Sequence, residues 1–351
     1  MLSVKLFGAG DIRIVEEDIP SINDRQMLVR IRAAAVCGTD IRSWRFGRPG
    51  FDEKHPLTLG HEVCAEIAEI GSAVSGFEKG MRVAVVPCTG CGTCAICTSG
   101  NPHQCRELRA CGMNTTGLMS EYALITEAMI SQGNVIPLSD KLTDCEAAIV
   151  EPLSCVYYGF SMLDAKPGER ALVIGAGPIG TMHSMLLHDA GLRVAVSEKD
   201  ADRRRMAEKN LPFAELFDGS DIKGFTDSFT EGCGFDVAVT ACPDPEAQMV
   251  VFSLMGFNGR VHFFGGVPKE QQPVPLDTNE IHYKALRIVG SSCSSVYHYR
   301  RALAIAESGG VDLSKIVTSE IDKKDAIRAF EMARDLKGLK KRHSVLKKKG
   351  L

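Results

Sequence analysis

Aromatic side chains are scarce in this sequence: they make up 6% of the 351 residues, and Trp44 is the single tryptophan. The formal net charge is −3, so the chain lacks the basic excess that nucleic-acid-binding proteins usually show. It also lacks any apolar run near the roughly 20 residues needed to span a bilayer. The first residues turn acidic early and contain no apolar leader segment. We therefore expect a cytoplasmic protein that binds neither nucleic acid nor membrane.

A disulfide framework is not expected either, although the chain contains thirteen cysteines. Their number is odd, and the cytoplasm keeps thiols reduced. Clustered cysteines in such a chain indicate a metal site, whereas scattered ones are interpreted as small buried apolar residues. The scattered set comprises Cys145, Cys155, Cys233 and Cys242.

Two patterns divide the chain, which is long enough for two hydrophobic cores. Residues 27–35, 63–70 and 81–86 alternate between apolar and polar side chains, which predicts strands of a half-buried sheet. Beyond residue 170, short apolar runs at 171–174, 193–196, 235–241, 260–264 and 286–289 are mostly separated by helical stretches such as 202–210. Alternating strands and helices predict a parallel sheet that is covered on both faces.

The predicted organisation is therefore α/β with two domains. A β-rich domain covers residues 1–151, a doubly wound nucleotide-binding domain covers 152–290, and residues 291–351 return to the first domain. The lysine-rich end that follows Arg334 is interpreted as a solvated surface segment, with a binding patch as the remote alternative.

A glycine-rich turn follows the predicted strand at residues 171–174. It contains Gly175, Gly177, Pro178, Ile179 and Gly180, in the pattern G-x-G-x-x-G, and it opens a predicted helix. The glycines permit a tight turn, close approach of a pyrophosphate and helix–strand packing, and the helix N-terminus favours phosphate. Glu198 lies at the end of the next strand, where an acid would accept hydrogen bonds from the adenosine ribose. The alternative is a structural turn with a chance acid.

Four cysteines lie close together in the sequence, with the spacing C-x2-C-x2-C-x7-C: Cys91, Cys94, Cys97 and Cys105. Four thiolates complete the tetrahedral coordination of one structural zinc ion and leave no open position. The alternative interpretation is a redox-active Cys-x-x-Cys pair. Cys88 is nearby and is interpreted as a bystander.

Three further segments carry candidate ligands that spacing alone does not bring together. Cys37 follows the strand at residues 27–35, His61 and Glu62 form a Gly-His-Glu string, and Glu151 precedes a proline. Each has a simple alternative explanation: packing for the cysteine, an ordinary polar role for the histidine, and a helix start for the glutamate.

Together these residues and motifs resemble the zinc-containing medium-chain dehydrogenases, over nearly the whole chain and most closely in the polyol branch. The Gly-His-Glu signature matches, although the family glycine three residues after the glutamate is Ala65 here. The resemblance implies a GroES-like domain plus a Rossmann domain, with the active site between them. It also implies a homodimer or homotetramer.

The same resemblance assigns roles to residues. It implies a catalytic zinc held by Cys37 and His61, with Glu62 and Glu151 as the acidic ligand positions, and a structural zinc in the four-cysteine segment. Thr39 would bond the alcohol and relay its proton, and zinc would act as a Lewis acid. The segments HFFGG and IVGSS, through Gly265 and Ser292, resemble the loops that contact the nicotinamide half of the cofactor.

These assignments predict hydride transfer between NAD and a secondary alcohol of a polyol, sugar alcohol or sugar acid, phosphorylated or not. Glu198 would repel the 2′-phosphate of NADP, whereas Lys199 and Arg203 are cations that could turn toward it. The alternatives are an NADPH-dependent zinc carbonyl reductase and a non-catalytic relative that keeps the fold.

A helix position near the predicted zinc departs from many relatives, which carry a histidine five residues after the zinc cysteine. Here that residue is Arg42, and Arg45 and Arg48 follow it. Arginine stays protonated and cannot be the terminal base of a proton relay. The hypothesis is an anionic substrate, bound by guanidinium groups; the alternatives are a solvated loop and a contact with the cofactor. Trp44 either lines the substrate pocket or packs in the core.

Overall fold

The computed structural model describes residues 1–334 and 343–347. The expectation about the lysine-rich end falls mostly outside these residues. No helix within the described residues is long and apolar enough to cross a membrane.

The N-terminal part of the chain is built mainly from short strands. Its strands are β1 (Leu2–Gly8), β2 (Asp11–Glu16), β3 (Met27–Ala35), β4 (Leu57–Thr58), β5 (Glu62–Ile70), β6 (Arg82–Val85), β7 (Cys88–Thr89), β8 (Arg109–Ala110), β9 (Tyr122–Ile125) and β10 (Val135–Pro137). Its helices are α1 (Gly38–Phe46), α2 (Ala95–Thr98), α3 (Glu127–Ser131), α4 (Asp144–Ala148) and α5 (Val150–Ser161), with a 3₁₀ turn at Pro102–Gln104.

The middle of the chain alternates between strands and helices, as its sequence predicts. The strands are β11 (Arg170–Ile174), β12 (Arg193–Ser197), β13 (Glu215–Phe217), β14 (Phe235–Thr240), β15 (Met255–Phe263) and β16 (Arg287–Gly290). The helices are α6 (Pro178–Asp189), α7 (Ala201–Asn210), α8 (Ile222–Thr230), α9 (Pro245–Val250) and α10 (Thr278–Tyr283), with 3₁₀ turns at Val251–Leu254 and Lys269–Gln271.

The last described elements are α11 (Val296–Ser308), β17 (Val317–Asp322), α12 (Ala326–Arg334) and β18 (His343–Lys347), with 3₁₀ turns at Leu313–Lys315 and Lys323–Asp325. Strand β18 pairs with β3, so the end of the described chain joins the first sheet. That sheet has the order β10-β6-β5-β3-β18-β17, with β9 also paired to β3.

The middle strands form one parallel sheet in the order β13-β12-β11-β14-β15-β16. Strand order reverses between β11 and β14, and doubly wound sheets bind their ligands at such a point. Both faces are buried: Ala171 and Val173 of β11 enter one apolar cluster, whereas Leu172 and Ile174 enter another. The expected α/β fold class is confirmed.

One hydrophobic core joins the two sheets. It runs from Ala33 and Cys64 of the first sheet, through helices α4 and α5, to Val173 and Val196 of the parallel sheet. Helix α5 approaches β15 closely: a Cβ on Gly159 would lie 1.9 Å from His262 Cε1. The carboxyl ends of β11 and β14 are therefore held in a fixed place next to the first sheet.

Candidate functional site

Cys37 is the N-cap residue of α1, two residues after β3 ends. Its sulfur accepts a hydrogen bond from Thr39 N at 3.4 Å, and its own N–H donates to Asp40 Oδ2 at 3.0 Å. This reciprocal pairing is a capping box, in which a thiol takes the place of the usual hydroxyl. The cap fixes where the thiol lies at the start of the helix.

His61 and Glu62 stand at the start of β5, next to the β3 end that leads to Cys37. Gly60 has φ +88°, and a Cβ there would lie 2.6 Å from Met119 Cβ, so the turn before His61 requires glycine. Single ligand atoms of Cys37, His61 and Glu62 all lie within 4.8 Å of one another. The fold thus joins two segments whose spacing did not connect them. We call these three residues the buried group.

Asp40 supports this group, and the sequence analysis did not identify it. Its side chain is fully buried, its Oδ1 accepts a hydrogen bond from Gly60 N at 3.3 Å, and the same oxygen lies 3.9 Å from His61 Nδ1. A carboxylate behind a metal-binding histidine commonly orients the ring. The signal available in the sequence was an acid three residues after the candidate cysteine.

The electrostatics of the buried group suit a cation. Burial raises the pKa of the Cys37 thiol and of the Asp40 carboxyl. The pKa of His61 is raised as well: burial opposes the charged ring, but the negative charges of Cys37 and Asp40 outweigh it. His61 Nδ1 is buried without a hydrogen-bond partner among the described residues. Thiolate, imidazole and carboxylate are the donors of catalytic zinc sites, so the residues fit a zinc ion.

Glu151 lies close to the buried group but outside its 4.8 Å set. It is 7% exposed in the first turn of α5, and Cys155 Sγ contacts its Oε1 at 3.8 Å. Burial first, and then repulsion by Glu62, raises the pKa of Glu151 to about 8. Of the two acidic positions, Glu62 is therefore the one in the compact set.

The remaining candidates on α1 occupy different environments. Thr39 is partly exposed in the first turn. Trp44 is 9% exposed and packs edge-on against Phe330, with ring centroids 6.2 Å apart, which supports the packing interpretation. Arg42 is exposed.

The other two arginines near α1 have local partners. The guanidinium of Arg45 lies 5.0 Å from the ring centroid of Phe46, and Arg48 Nε donates a hydrogen bond to Ser43 Oγ at 2.8 Å. These two arginines therefore make contacts within their own segment.

The four clustered cysteines form a second compact set, here called the cysteine lobe: Cys91, Cys94, Cys97 and Cys105. Two of its sulfur pairs are 3.9 Å and 3.8 Å apart. Four sulfurs at about 2.3 Å from a tetrahedral zinc would be separated by about 3.8 Å. The residues fit a closed zinc site, and Cys88 lies outside the set.

Backbone N–H groups stabilise the sulfurs of the lobe. Cys94 N donates to Cys91 Sγ at 3.4 Å, and Glu107 N donates to Cys105 Sγ at 3.3 Å. Hydrogen bonds from Thr93 and Cys94 lower the pKa of Cys91 to about 6, so this thiol loses its proton readily.

The scattered cysteines are not uniformly buried. Cys145 is buried, and Cys155 and Cys242 are half-buried, but Cys233 is exposed. The expectation of burial was wrong for Cys233 because this residue lies in the turn between α8 and β14, next to Gly232 and Gly234 with their positive φ angles. A tight surface turn leaves its side chain outside the core.

The glycine-rich turn has the geometry that a dinucleotide requires. Gly175 has φ +104°, Gly177 is the N-cap of α6, and Pro178 is at the first helical position. A Cβ on Gly180 would lie 1.8 Å from Gly175 O, whereas a Cβ on Gly177 would meet nothing within 4 Å. Helix packing therefore requires the last glycine, and the middle one leaves an open surface at a helix N-terminus. Ile179 is half-buried beside it.

Glu198 is 6% exposed and bonded to the backbone on both sides. Its Oε2 accepts from Ala176 N and its Oε1 from Asp200 N, each at 2.9 Å. Arg203 Nε lies 3.5 Å from Oε2. This carboxylate therefore braces the glycine-rich turn, a role that the sequence analysis did not anticipate.

Lys199 is directed away from Glu198. Its Nζ lies 3.1 Å from Asp244 Oδ2 and 3.4 Å from Glu246 Oε2. Both cations considered for a 2′-phosphate, Lys199 and Arg203, thus have carboxylate partners.

Gly265 and Ser292 follow the carboxyl ends of β15 and β16. A Cβ on Gly265 would lie 2.3 Å from Cys242 O, so the two chain segments can meet only at glycine. Ser292 lies between Ser291, which is hydrogen-bonded to His262 at 2.8 Å, and Cys293. Both positions lie on the side of the sheet where its ligands bind.

Comparison with known proteins identifies two family models in this chain. Residues 23–137 match the alcohol dehydrogenase GroES-like domain, and residues 178–308 match the zinc-binding dehydrogenase model. An L-threonine 3-dehydrogenase of Rhizobium rhizogenes is 30% identical over 322 residues, which is 90% of each chain. An L-galactonate-5-dehydrogenase of Escherichia coli K12 is 28% identical over 309 residues, or 86% of each chain.

Solved structures share the fold over almost the entire chain. A Sinorhizobium meliloti 1021 protein bound to NADP is 26% identical with a TM-score of 0.86, and 98% of each chain is covered. A galactitol-1-phosphate dehydrogenase of Escherichia coli is 21% identical with a TM-score of 0.86, and covers 99% of this chain and 100% of its own. The latter likeness concerns the fold alone.

Proposed function

The chain belongs to the zinc-containing medium-chain alcohol and polyol dehydrogenases and is an oxidoreductase that acts on CH–OH donors; from this premise we propose that it oxidises a secondary alcohol of a polyol, sugar alcohol or sugar acid with NAD. The observation that carries the proposal is the buried group, which combines Cys37, His61 and Glu62 within 4.8 Å. Relatives named for L-threonine and L-galactonate are consistent with a small hydroxylated substrate.

The buried group would hold a catalytic zinc, and the cysteine lobe would hold a structural one. When bound, the catalytic zinc supplies Lewis acidity, which favours loss of the proton from an alcohol. Cys37 and His61 provide two ligands, and Glu62 is the better-placed acidic ligand. Glu151 acts from just outside, where its carboxyl is buried and has a raised pKa.

Other residues of this chain position the proton and the cofactor. Asp40 orients His61 through the Nδ1 side of the ring. Thr39, in the first turn of the helix that Cys37 caps, is placed to hydrogen-bond the substrate hydroxyl and relay its proton outward. The N-terminus of α6 and the open face of Gly177 would bind the pyrophosphate. Gly265 and Ser292 would line the nicotinamide half.

A preference for NAD over NADP is supported by Glu198 and its surroundings. Its carboxylate would lie where NADP carries a negative 2′-phosphate, and like charges repel. Lys199 is occupied by Asp244 and Glu246. Arg203 lies beside Glu198 itself, so neither cation is free to offset the repulsion.

The oligomer proposed from the family resemblance is a homodimer or homotetramer. The described edge of the parallel sheet carries exposed Ile288 (39%), and Phe257 (76%) and Tyr283 (74%) belong to neighbouring elements. Exposed apolar side chains at a sheet edge suit pairing with another copy. The free state of all thirteen cysteines suits the proposed cytoplasmic location.

A purified-enzyme screen tests the function. The zinc-loaded protein is assayed with polyols, sugar acids, sugar phosphates and L-threonine, each with NAD and with NADP. We expect turnover of at least one of these secondary alcohols, with higher kcat/KM for NAD. Higher kcat/KM for NADP with carbonyl substrates would support the reductase alternative, and absence of turnover in both directions would refute the proposal.

A further inference from the structure

A pair of cysteines outside both ligand sets connects the two sheets of the molecule. Cys88 lies on β7, which follows the first sheet, and Cys293 follows β16 of the parallel sheet. The Cys88 thiol donates a hydrogen bond to the Cys293 sulfur. Two residues 205 positions apart in the sequence (293 minus 88) thus have interacting sulfurs.

The backbone on the Cys88 side is held in place. Cys88 pairs with Ala110 of β8, and its carbonyl oxygen accepts a hydrogen bond from the buried Asn134 Nδ2 at 2.7 Å. The thiol is therefore fixed on a paired strand, and the residue is 7% exposed.

The backbone on the Cys293 side is held from both directions. Ser291 Oγ is hydrogen-bonded to His262 Nε2 at 2.8 Å, and Ser294 Oγ to Ser154 Oγ at 2.6 Å. Between them Cys293 has φ +58°, a conformation that costs a non-glycine residue free energy and persists only where the surroundings impose it. The surrounding contacts therefore present this thiol to Cys88.

The two thiols differ in access and reactivity. Cys293 is partly exposed, whereas Cys88 is buried. The hydrogen bond from Cys88 lowers the pKa of Cys293 to about 6. A partly exposed thiol of thiolate character next to a second thiol is the arrangement of a redox-responsive pair.

We propose that Cys88 and Cys293 form a reversible disulfide when the protein meets hydrogen peroxide. The Cys293 thiolate attacks one peroxide oxygen, the O–O bond breaks, and hydroxide leaves, giving a sulfenic acid. The Cys88 sulfur then attacks the Cys293 sulfur, and the S–O bond breaks with release of water after proton transfer. Two thiols and one peroxide thus become one disulfide and two waters. The bond needs the two sulfurs at about 2.05 Å.

The disulfide would fix the β7 segment to the segment that carries Ser292. If the proposed cofactor contact of Ser292 is right, oxidation lowers turnover, and a thiol reductant restores it. The bond itself is independent of the proposed function, so its formation can be measured without an assay of activity.

Peptide mapping tests the bond. The zinc-loaded full chain is treated with hydrogen peroxide, free thiols are alkylated, and tryptic peptides are analysed without reduction. We expect peptide 83–106, which contains Cys88 and the lobe cysteines, linked to peptide 288–300, which contains Cys293. The link should be lost in Cys88→Ser and in Cys293→Ser and retained in Cys233→Ser, a matched control at an exposed cysteine.

Two results would overturn the proposal. One is that Cys293 is oxidised to acids without the link. The other is that the link persists in Cys88→Ser, which would make a lobe cysteine the partner; release of zinc, followed with a chromogenic chelator, would accompany that result. A link that forms while peroxide leaves turnover unchanged keeps the disulfide and removes only its effect on activity.

Discussion

The cysteine lobe and the buried group use similar ligands, but different levels of the fold bring those ligands together. The lobe draws all four sulfurs from residues 91–105, and neighbouring N–H groups stabilise them. The buried group draws its ligands from the start of α1 and the start of β5, which meet because β3 pairs with β5. A local site can therefore be recognised from spacing, whereas a dispersed one requires the fold.

The two sites also differ in what their environment permits. Three of the four lobe cysteines are partly exposed, and the set already supplies four ligands. His61 and Glu62 are 3% and 1% exposed, and the buried group supplies only three. A closed site contributes folding energy, whereas an open one leaves a position for substrate. Mutations should separate these two consequences.

The largest effect is expected for Cys37→Ala. Loss of this ligand should lower kcat/KM at least about 1000-fold, because the proposed catalytic zinc would lose a ligand that sets its position. Far-UV circular dichroism should stay unchanged. Cys111→Ala is the matched control, since Cys111 is a buried cysteine outside both ligand sets and should keep most of the activity. Activity retained in zinc-loaded Cys37→Ala would remove the buried group from catalysis.

In the lobe, Cys97→Ser should act mainly on stability. We expect the free energy of unfolding to fall by about 4 kcal/mol or more, because structural zinc contributes folding energy directly. Elemental analysis should show a decrease from about two zinc ions per chain to about one. Cys233→Ser, at an exposed position, should change neither quantity. A native value near one zinc per chain, with the four lobe thiols free, would argue against the structural site.

The same contrast explains how far the sequence predicted the structure. The strand expected at 27–35 is β3 (Met27–Ala35), and the helix at 202–210 is α7 (Ala201–Asn210), because periodic burial is a local signal. The strand at 260–264 starts earlier, at Met255, since Phe257 and Asn258 are exposed and interrupt the pattern. The domain boundaries and the residue roles stay predictions.

What the sequence did not predict depends on contacts between distant segments. Asp40 was missed because its approach to His61 exists only once Gly60 turns the chain before β5. The bracing role of Glu198 depends on Ala176, 22 residues away. Burial of Cys233 was wrong because composition does not show which side of a turn faces solvent.

Asp40→Asn sharpens the comparison, because only the buried group depends on a distant supporting residue. The amide keeps the shape and the acceptor oxygen but removes the charge near His61 Nδ1. We expect a 10- to 100-fold decrease, an order-of-magnitude range, in zinc affinity of the buried group or in kcat. Zinc in the cysteine lobe should be unaffected in the same sample. An unchanged zinc affinity and kcat would mean that the backbone cap alone positions the site.

The smallest effect is expected for Arg42→Ala, and it asks whether the helix that presents Cys37 also contributes to substrate recognition. Arg42 is exposed, and it makes no hydrogen bond or ion pair with any described residue, whereas Arg48 is bonded to Ser43. A free guanidinium can pair with a carboxylate or phosphate, and one solvent-exposed pair contributes about 1 kcal/mol or less. If the substrate is anionic, its KM should rise by no more than about fivefold, with kcat and the KM for NAD unchanged. Arg45→Ala is the matched control, because that guanidinium lies against Phe46 on the same helix. Equal effects on anionic and neutral substrates, or a change in the KM for NAD, would place Arg42 in the solvated loop or at the cofactor instead.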